Sequence, residues 1–155
     1  MNQAYLHLVF NHAPIISTLV AGLVLAAGLV LRNVTVQRTA LGILTFAAVA
    51  ALPAYFTGEG AEHIIRRMGG IDTELIEQHE QLGNMFFFAL VVAGVAAAFV
   101  LWRDVEGKLT RRIAYPALLV AMAGLLILAL FVGSTGGKIR HTETSAQPTE
   151  ALLRK

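Results

Sequence analysis

An all-α, integral-membrane four-helix bundle with both termini on the outer side is the fold class this sequence predicts. Three observations predict it. The chain has 155 residues, of which 56% are hydrophobic and only 14% charged, and its mean hydropathy is +0.66. A water-soluble domain of this length needs more polar residues to cover its surface. The charges are also segregated: residues 1–31, 39–58, 81–102 and 113–137 carry none. Each of those runs reaches the roughly 20 residues that cross a hydrocarbon core as a helix. Lipid cannot satisfy open backbone groups, so four such runs imply four helices.

The predicted spans are 12–31, 39–57, 82–102 and 113–133, inside a transmembrane domain of residues 1–137 that is followed by a polar tail, 138–155. Asn11-His12-Ala13-Pro14 reads as the start of the first helix, with proline in its first turn. A cleaved signal peptide would open on a basic segment, and no Lys or Arg precedes Arg32. Residues 59–68 read as a short surface helix after the second span, closed by Gly69-Gly70. Gly133-Ser134-Thr135-Gly136-Gly137 reads as a flexible turn after the fourth. Gly22 and Ala26 in span one, and Gly83, Leu90 and Gly94 in span three, recur at helical spacing and suit close helix packing.

Four spans put loops 32–38 and 103–112 on one side of the membrane. These hold Arg32, Arg38, Arg103, Lys108, Arg111 and Arg112 within short segments. On the other side the basic residues are spread thinly, and loop 59–80 is acidic. The positive-inside rule then puts the short loops in the cytoplasm and the termini outside. Tyr5 and Tyr55 fall where an outer aromatic belt belongs, and Trp102 and Tyr115 where an inner one does. The expected location is a bacterial cytoplasmic (inner) membrane.

Several function classes drop out. The net charge of +2, with no basic face, does not suit nucleic acid. There is no cysteine, hence no disulfide, thiolate metal site or thioether-linked haem. No ionisable residue sits in the centre of a span, as proton-coupled transporters usually require. His79-Glu80 opens like a zincin motif, but Gly83 stands where its second histidine belongs. The Glu-x-x-His spacing of di-iron bundles is absent as well: Gly60 and Ile76 precede His63 and His79 by three.

The histidines are His7, His12, His63, His79 and His141, and the predicted topology places all of them on the outer side. Each span carries one near its outer end, and facing side chains at one level of a bundle can share a cofactor. His7 and His12 are five apart, roughly 140° on a continuous helix, and could share a ligand only if the chain bends between them. His79 stands one turn above Gly83, with Phe86, Phe87 and Leu90 continuing that face. A histidine over glycine and an apolar wall suits a flat ligand such as haem. His63 reads as solvated, and His141 as able to fold back over the bundle. Glu59, Glu62, Glu77 and Glu80 lie at the same level. Imidazole plus carboxylate would suit a non-haem iron, zinc or copper ion.

Three segments resemble a known family, the small four-span bacterial membrane proteins of the 2231 family of domains of unknown function. Leu6-His7-Leu8-Val9-Phe10-Asn11-His12-Ala13-Pro14-Ile15 is similar to its H-x-x-x-x-H-x-P-I opening, and His79 to the histidine at the start of its third span. The run Gly133-Ser134-Thr135-Gly136-Gly137-Lys138-Ile139-Arg140-His141 is similar to its glycine-rich closing segment. The chain departs from the family in having Leu8 where proline is frequent, and in its richer acidic pairs. Some members are fused to Rieske iron–sulfur domains, which implies a redox setting.

The expectation is therefore a membrane redox protein that binds haem b near the outer face. His12 and His79 are the first candidates for axial ligands, with His7 and His141 next. It would transfer electrons to quinone or a partner complex, and it could form an oligomer. The alternatives are a non-haem Fe, Zn or Cu site built from His12, His79 and His141 with Glu59, Glu62 or Glu80, and a cofactor-free structural or assembly subunit.

Overall fold

The structure is a computed structural model that describes residues 3–68, 72–108 and 111–145. Five helices follow one another: α1 Gln3–Phe10, α2 His12–Val30, α3 Val34–Met68, α4 Thr73–Val105 and α5 Arg111–Ser145. Together α1 and α2 form one apolar stretch, Tyr5–Val30. This stretch and α3, α4 and α5 make four candidate spans, each long and apolar enough to cross a membrane. α1 and α2 are divided at Asn11 because Pro14 has no N–H to offer the carbonyl four residues back, that of Phe10. Thr18 donates its hydroxyl to the Pro14 carbonyl at 2.7 Å within the next turn.

Two helices run further than the sequence predicts. The segment 59–68 is no separate surface helix but the continuation of α3, which passes through Pro53 without a break. Thr57 donates to the carbonyls of Pro53 and Ala54, at 2.7 and 3.2 Å. Ala61 is buried one turn further on, and Glu62 pairs with Arg66 at 2.6 Å. Likewise 133–137 is helical, inside α5. There Thr135 donates to the carbonyls of Phe131 and Val132, at 3.1 and 3.0 Å. Glycine propensity is a weak signal, and packing overrides it at both places. Gly69-Gly70 and the tail beyond 145 lie outside the described residues.

The two short turns at the other end share one geometry. After α4, Gly107 N–H bonds the Asp104 carbonyl and Lys108 N–H that of Arg103. This is a Schellman cap, with Gly107 at φ 72°. After α2, Arg32 N–H bonds the Leu29 carbonyl and Asn33 N–H that of Gly28. The cap is the same, but the left-handed position at φ 53° is occupied by Arg32. A side chain there costs about 1–2 kcal/mol, a cost glycine avoids.

Neighbours in sequence pack as neighbours in space, and α2 closes the ring against α5, while α1 lies on α3. The interior is a seam of small and aliphatic residues, including Ala21, Leu25, Ala40, Leu44, Ala47, Leu90, Ala93, Ala97 and Met122. α3 and α4 approach closely at Gly94, where an added Cβ would stand 2.3 Å from the Cβ of Ala48. The predicted packing role of Gly94 is thus explained. Gly22 meets Met122 at ordinary contact distance, and Gly83 faces open space. The outside carries the large apolar residues: Val92 is 70% exposed, Val120 and Leu130 73%. An apolar surface of that size suits a membrane or a partner protein better than water.

One charged cluster ties the short-loop end together. The Asp104 side chain is only 2% exposed. It accepts from Arg38 Nε at 2.6 Å and from Arg111 Nε, while Arg38 also donates to the Asp104 carbonyl at 3.0 Å. Tyr115, expected in the inner aromatic belt, is instead fully buried. Its hydroxyl lies beside the Asp104 carboxylate but outside hydrogen-bond geometry. The cluster draws it inward, whereas Trp102 stays exposed as predicted.

Replacing Gly94 by leucine should therefore lower the melting temperature, by an overpacking cost of about 1–3 kcal/mol. The milder Gly94→Ala should be rescued by Ala48→Gly. Thermal unfolding in detergent checks both, and rescue failure would show that the crossing is not set at this contact.

Candidate histidine site

The end of the bundle away from the Asp104 cluster holds two half-buried histidines, His7 on α1 and His79 on α4. Each ring is anchored on a different helix from its own. His7 donates from Nδ1 to the Ala54 carbonyl on α3 at 2.9 Å, with the Thr57 hydroxyl 3.5 Å away. His79 donates from Nδ1 to the Val132 carbonyl on α5 at 3.1 Å, with the Thr135 hydroxyl at 2.9 Å. A carbonyl oxygen can only accept, so in both rings Nδ1 carries a proton, and in the neutral form of either ring Nε2 presents a lone pair. Neither Nε2 has a hydrogen-bond partner among the described residues. The two imidazoles lie within electrostatic reach of one another.

The two anchors are the same device. Each uses a carbonyl three residues before a threonine, the threonine itself, and the glycine that follows it. Gly58 underlies the His7 ring, and an added Cβ would stand 3.6 Å from its Cε1. Gly136 underlies the His79 ring more tightly, at 3.0 Å. A glycine in mid-helix usually weakens it; here each glycine makes room for an imidazole crossing from the next helix. Thr57-Gly58 and Thr135-Gly136 recur in the sequence, and this repetition is the signal that could have identified both histidine seats.

The other candidates fall elsewhere. His12 is exposed, and its Nδ1 faces the Leu8 carbonyl of its own helix at 3.2 Å. The break at Asn11 therefore does not bring His12 to the His79 ring; His7 is the histidine brought close to it. Asn11 has a buried Oδ1 with no hydrogen-bond partner, one turn along from His7. His63 is exposed. His141 lies on the last turns of α5 rather than on a returning turn, and its side chain is outside the described residues.

The expected apolar wall below His79 is not a free face. Phe86 and Leu90 are buried in the core, and Phe87 stacks on Tyr55 at 4.1 Å. The ring turns away from them toward α5. Among the carboxylates, Glu62 and Glu77 share Arg66, at 2.6 and 3.6 Å, while Glu59 and Glu80 are exposed. No set of three His, Asp or Glu side chains converges as metal ligands among the described residues. Two shallow cavities, about 230 and 220 Å³, lie between α4 and α5 and at the short-loop end, and neither is bordered by a histidine. No protein-family model matches this chain, and neither a curated protein nor a solved structure is similar to it.

Because Gly136 leaves less room than Gly58, Gly136→Ala should displace the His79 ring and lower thermal stability, whereas Gly58→Ala should be tolerated. Imidazole nitrogen NMR would report this. An unchanged His79 signal in Gly136→Ala would show that the ring does not rest on that backbone.

Proposed function

We propose that the chain is a multi-pass protein of a bacterial cytoplasmic membrane. In this proposal the histidine end faces outward, and the protein carries b-type haem for electron transfer through His7 and His79. The observation that carries this is the pair of imidazoles, each pinned by Nδ1–H to a backbone carbonyl with Nε2 left as a lone pair. Metal-bound histidines are held in this way, because the second-shell carbonyl fixes the tautomer and raises ligand basicity. The donor count also favours haem over a bare ion. Porphyrin supplies its own four nitrogens, so two imidazoles complete the coordination, whereas a non-haem ion needs more protein ligands than converge among the described residues.

His7 thus takes the place that the sequence suggests for His12, and His79 keeps its own. Bound haem would supply one-electron exchange at iron. The chain's contribution is to hold both ligand atoms rigidly, through Ala54, Thr57 and Gly58 on one side and Val132, Thr135 and Gly136 on the other. Electrons would pass to quinone or a partner complex. The resemblance to the four-span family, with its Rieske fusions, supports the redox setting. The density of arginine in both short turns supports the orientation.

A second reading is favoured by the histidine-free cavities: the two rings are structural clamps joining α1 to α3 and α4 to α5, in a subunit without a cofactor. Asparagine separates the two readings, since its side-chain nitrogen can stand where Nδ1 does while Nε2 is lost. The haem reading expects a Soret band and a reducible α-band in mild detergent, abolished by His7→Asn or His79→Asn and kept in His12→Ala. The clamp reading expects a colourless protein that tolerates asparagine and is destabilised by alanine.

The orientation has its own test. The chain has no cysteine, so single cysteines report cleanly. Glu74→Cys should react with a membrane-impermeant thiol reagent in intact cells, and Lys108→Cys should not. The opposite pattern would place the histidine end in the cytoplasm.

A further inference from the structure

The cavity of about 220 Å³ at the short-loop end is lined by Arg32, Arg111 and Arg112 over an apolar wall of Leu29, Val34 and Pro116. Such a mixture of cations and hydrocarbon suits a ligand with an anionic head and an apolar body. Gln37 also borders it, but its amide is spent on the Gly28 carbonyl at 2.9 Å. Arg111 commits its Nε to Asp104. Arg32 and Arg112 have no charged or hydrogen-bonded partner among the described residues. Among the described residues, two guanidinium groups are thus open to one acceptor, and the planar fork of each matches the oxygens of a phosphate.

The backbone gives a second, independent indication. Arg32 holds the left-handed position of a Schellman cap, where the matching cap after α4 has Gly107. Glycine would fit that turn without strain. Strain kept at one of two otherwise equal turns points to a use for the side chain placed there.

We propose that this cavity binds the phosphate headgroup of an anionic membrane lipid, held by Arg32 and Arg112 with Arg111 behind, its acyl portion running along Leu29 and Pro116. The phosphate chemistry alone would equally admit a free phosphate ion. The apolar wall and the position at the end of four candidate spans, the depth of lipid headgroups, select the lipid. The proposal rests on membrane insertion, which fractionation tests separately, and is independent of any cofactor at the histidine end.

The test uses the full chain in mild detergent, with thermal stability read against added phosphatidylglycerol, phosphatidylcholine or inorganic phosphate. Phosphatidylglycerol should stabilise the protein, and the other two should not. Arg112→Gln should weaken the apparent affinity about five-fold, as expected for one basic residue at an anionic surface, and Arg32→Gly/Arg112→Gln by the square of that factor. Arg32→Gly relieves the turn, so in lipid-free detergent it should be at least as stable as the parent; lost lipid response is then not lost folding. Arg103→Gln, at the same end but outside the cavity, should respond like the parent. Equal stabilisation by phosphatidylcholine, or an undiminished response in the double variant, would overturn the site. Equal stabilisation by inorganic phosphate would overturn the lipid in favour of a simple anion.

Discussion

The approach of α3 to α4 at Ala48 and Gly94 is the constraint on which the bundle depends. Between helices in lipid there is no hydrophobic drive, because the surrounding chains are as apolar as the side chains. Cohesion then comes from backbones near enough for dense contact and for bonds such as Thr45 to the Gly94 carbonyl at 3.4 Å. This crossing joins the hairpin of α2 and α3 to that of α4 and α5. With it fixed, Asp104 on α4 meets Arg38 on α3 at one end, and Phe87 meets Tyr55 toward the other.

The two hairpins answer each other. In each, a histidine on the first helix or, for His7, on α1 just ahead of it, is seated on a threonine–glycine pair in the second half of the second helix. In each, a Schellman cap closes the turn between them. Where they differ, the difference is chemical: glycine at one cap and arginine at the other, a looser glycine seat under His7 and a tighter one under His79.

The spans were legible because the charge-free runs reflect a solvent requirement that acts on every residue. The helix extensions were not, because Gly58, Gly60, Gly133, Gly136 and Gly137 carry the local signature of turns, and the rings that rest on Gly58 and Gly136 come from distant parts of the chain. That histidines gather at one end of the bundle was legible in part, through His79. The choice of His7 over His12 was not, since it depends on which face of the first helix meets α3. Asp104 read as one loop charge among several, and nothing short of its burial between Arg38 and Arg111 distinguishes it.

The helix lengths between the two polar ends have an electrical consequence. From Arg38 to Thr57 is about 28 Å along α3, and from Asp104 to His79 about 38 Å along α4. A hydrocarbon core is roughly 30 Å thick. In a membrane with the arginine end at one face, the histidine pair would lie at the opposite face, beyond most of the voltage drop as seen from the arginines. A full unit charge crossing that drop exchanges about 2.3 kcal/mol per 100 mV. A charge arriving at His7 and His79 from the nearer aqueous side crosses almost none of it. Chemistry at that pair would therefore run at the potential of a single compartment, indifferent to whether the membrane is energised.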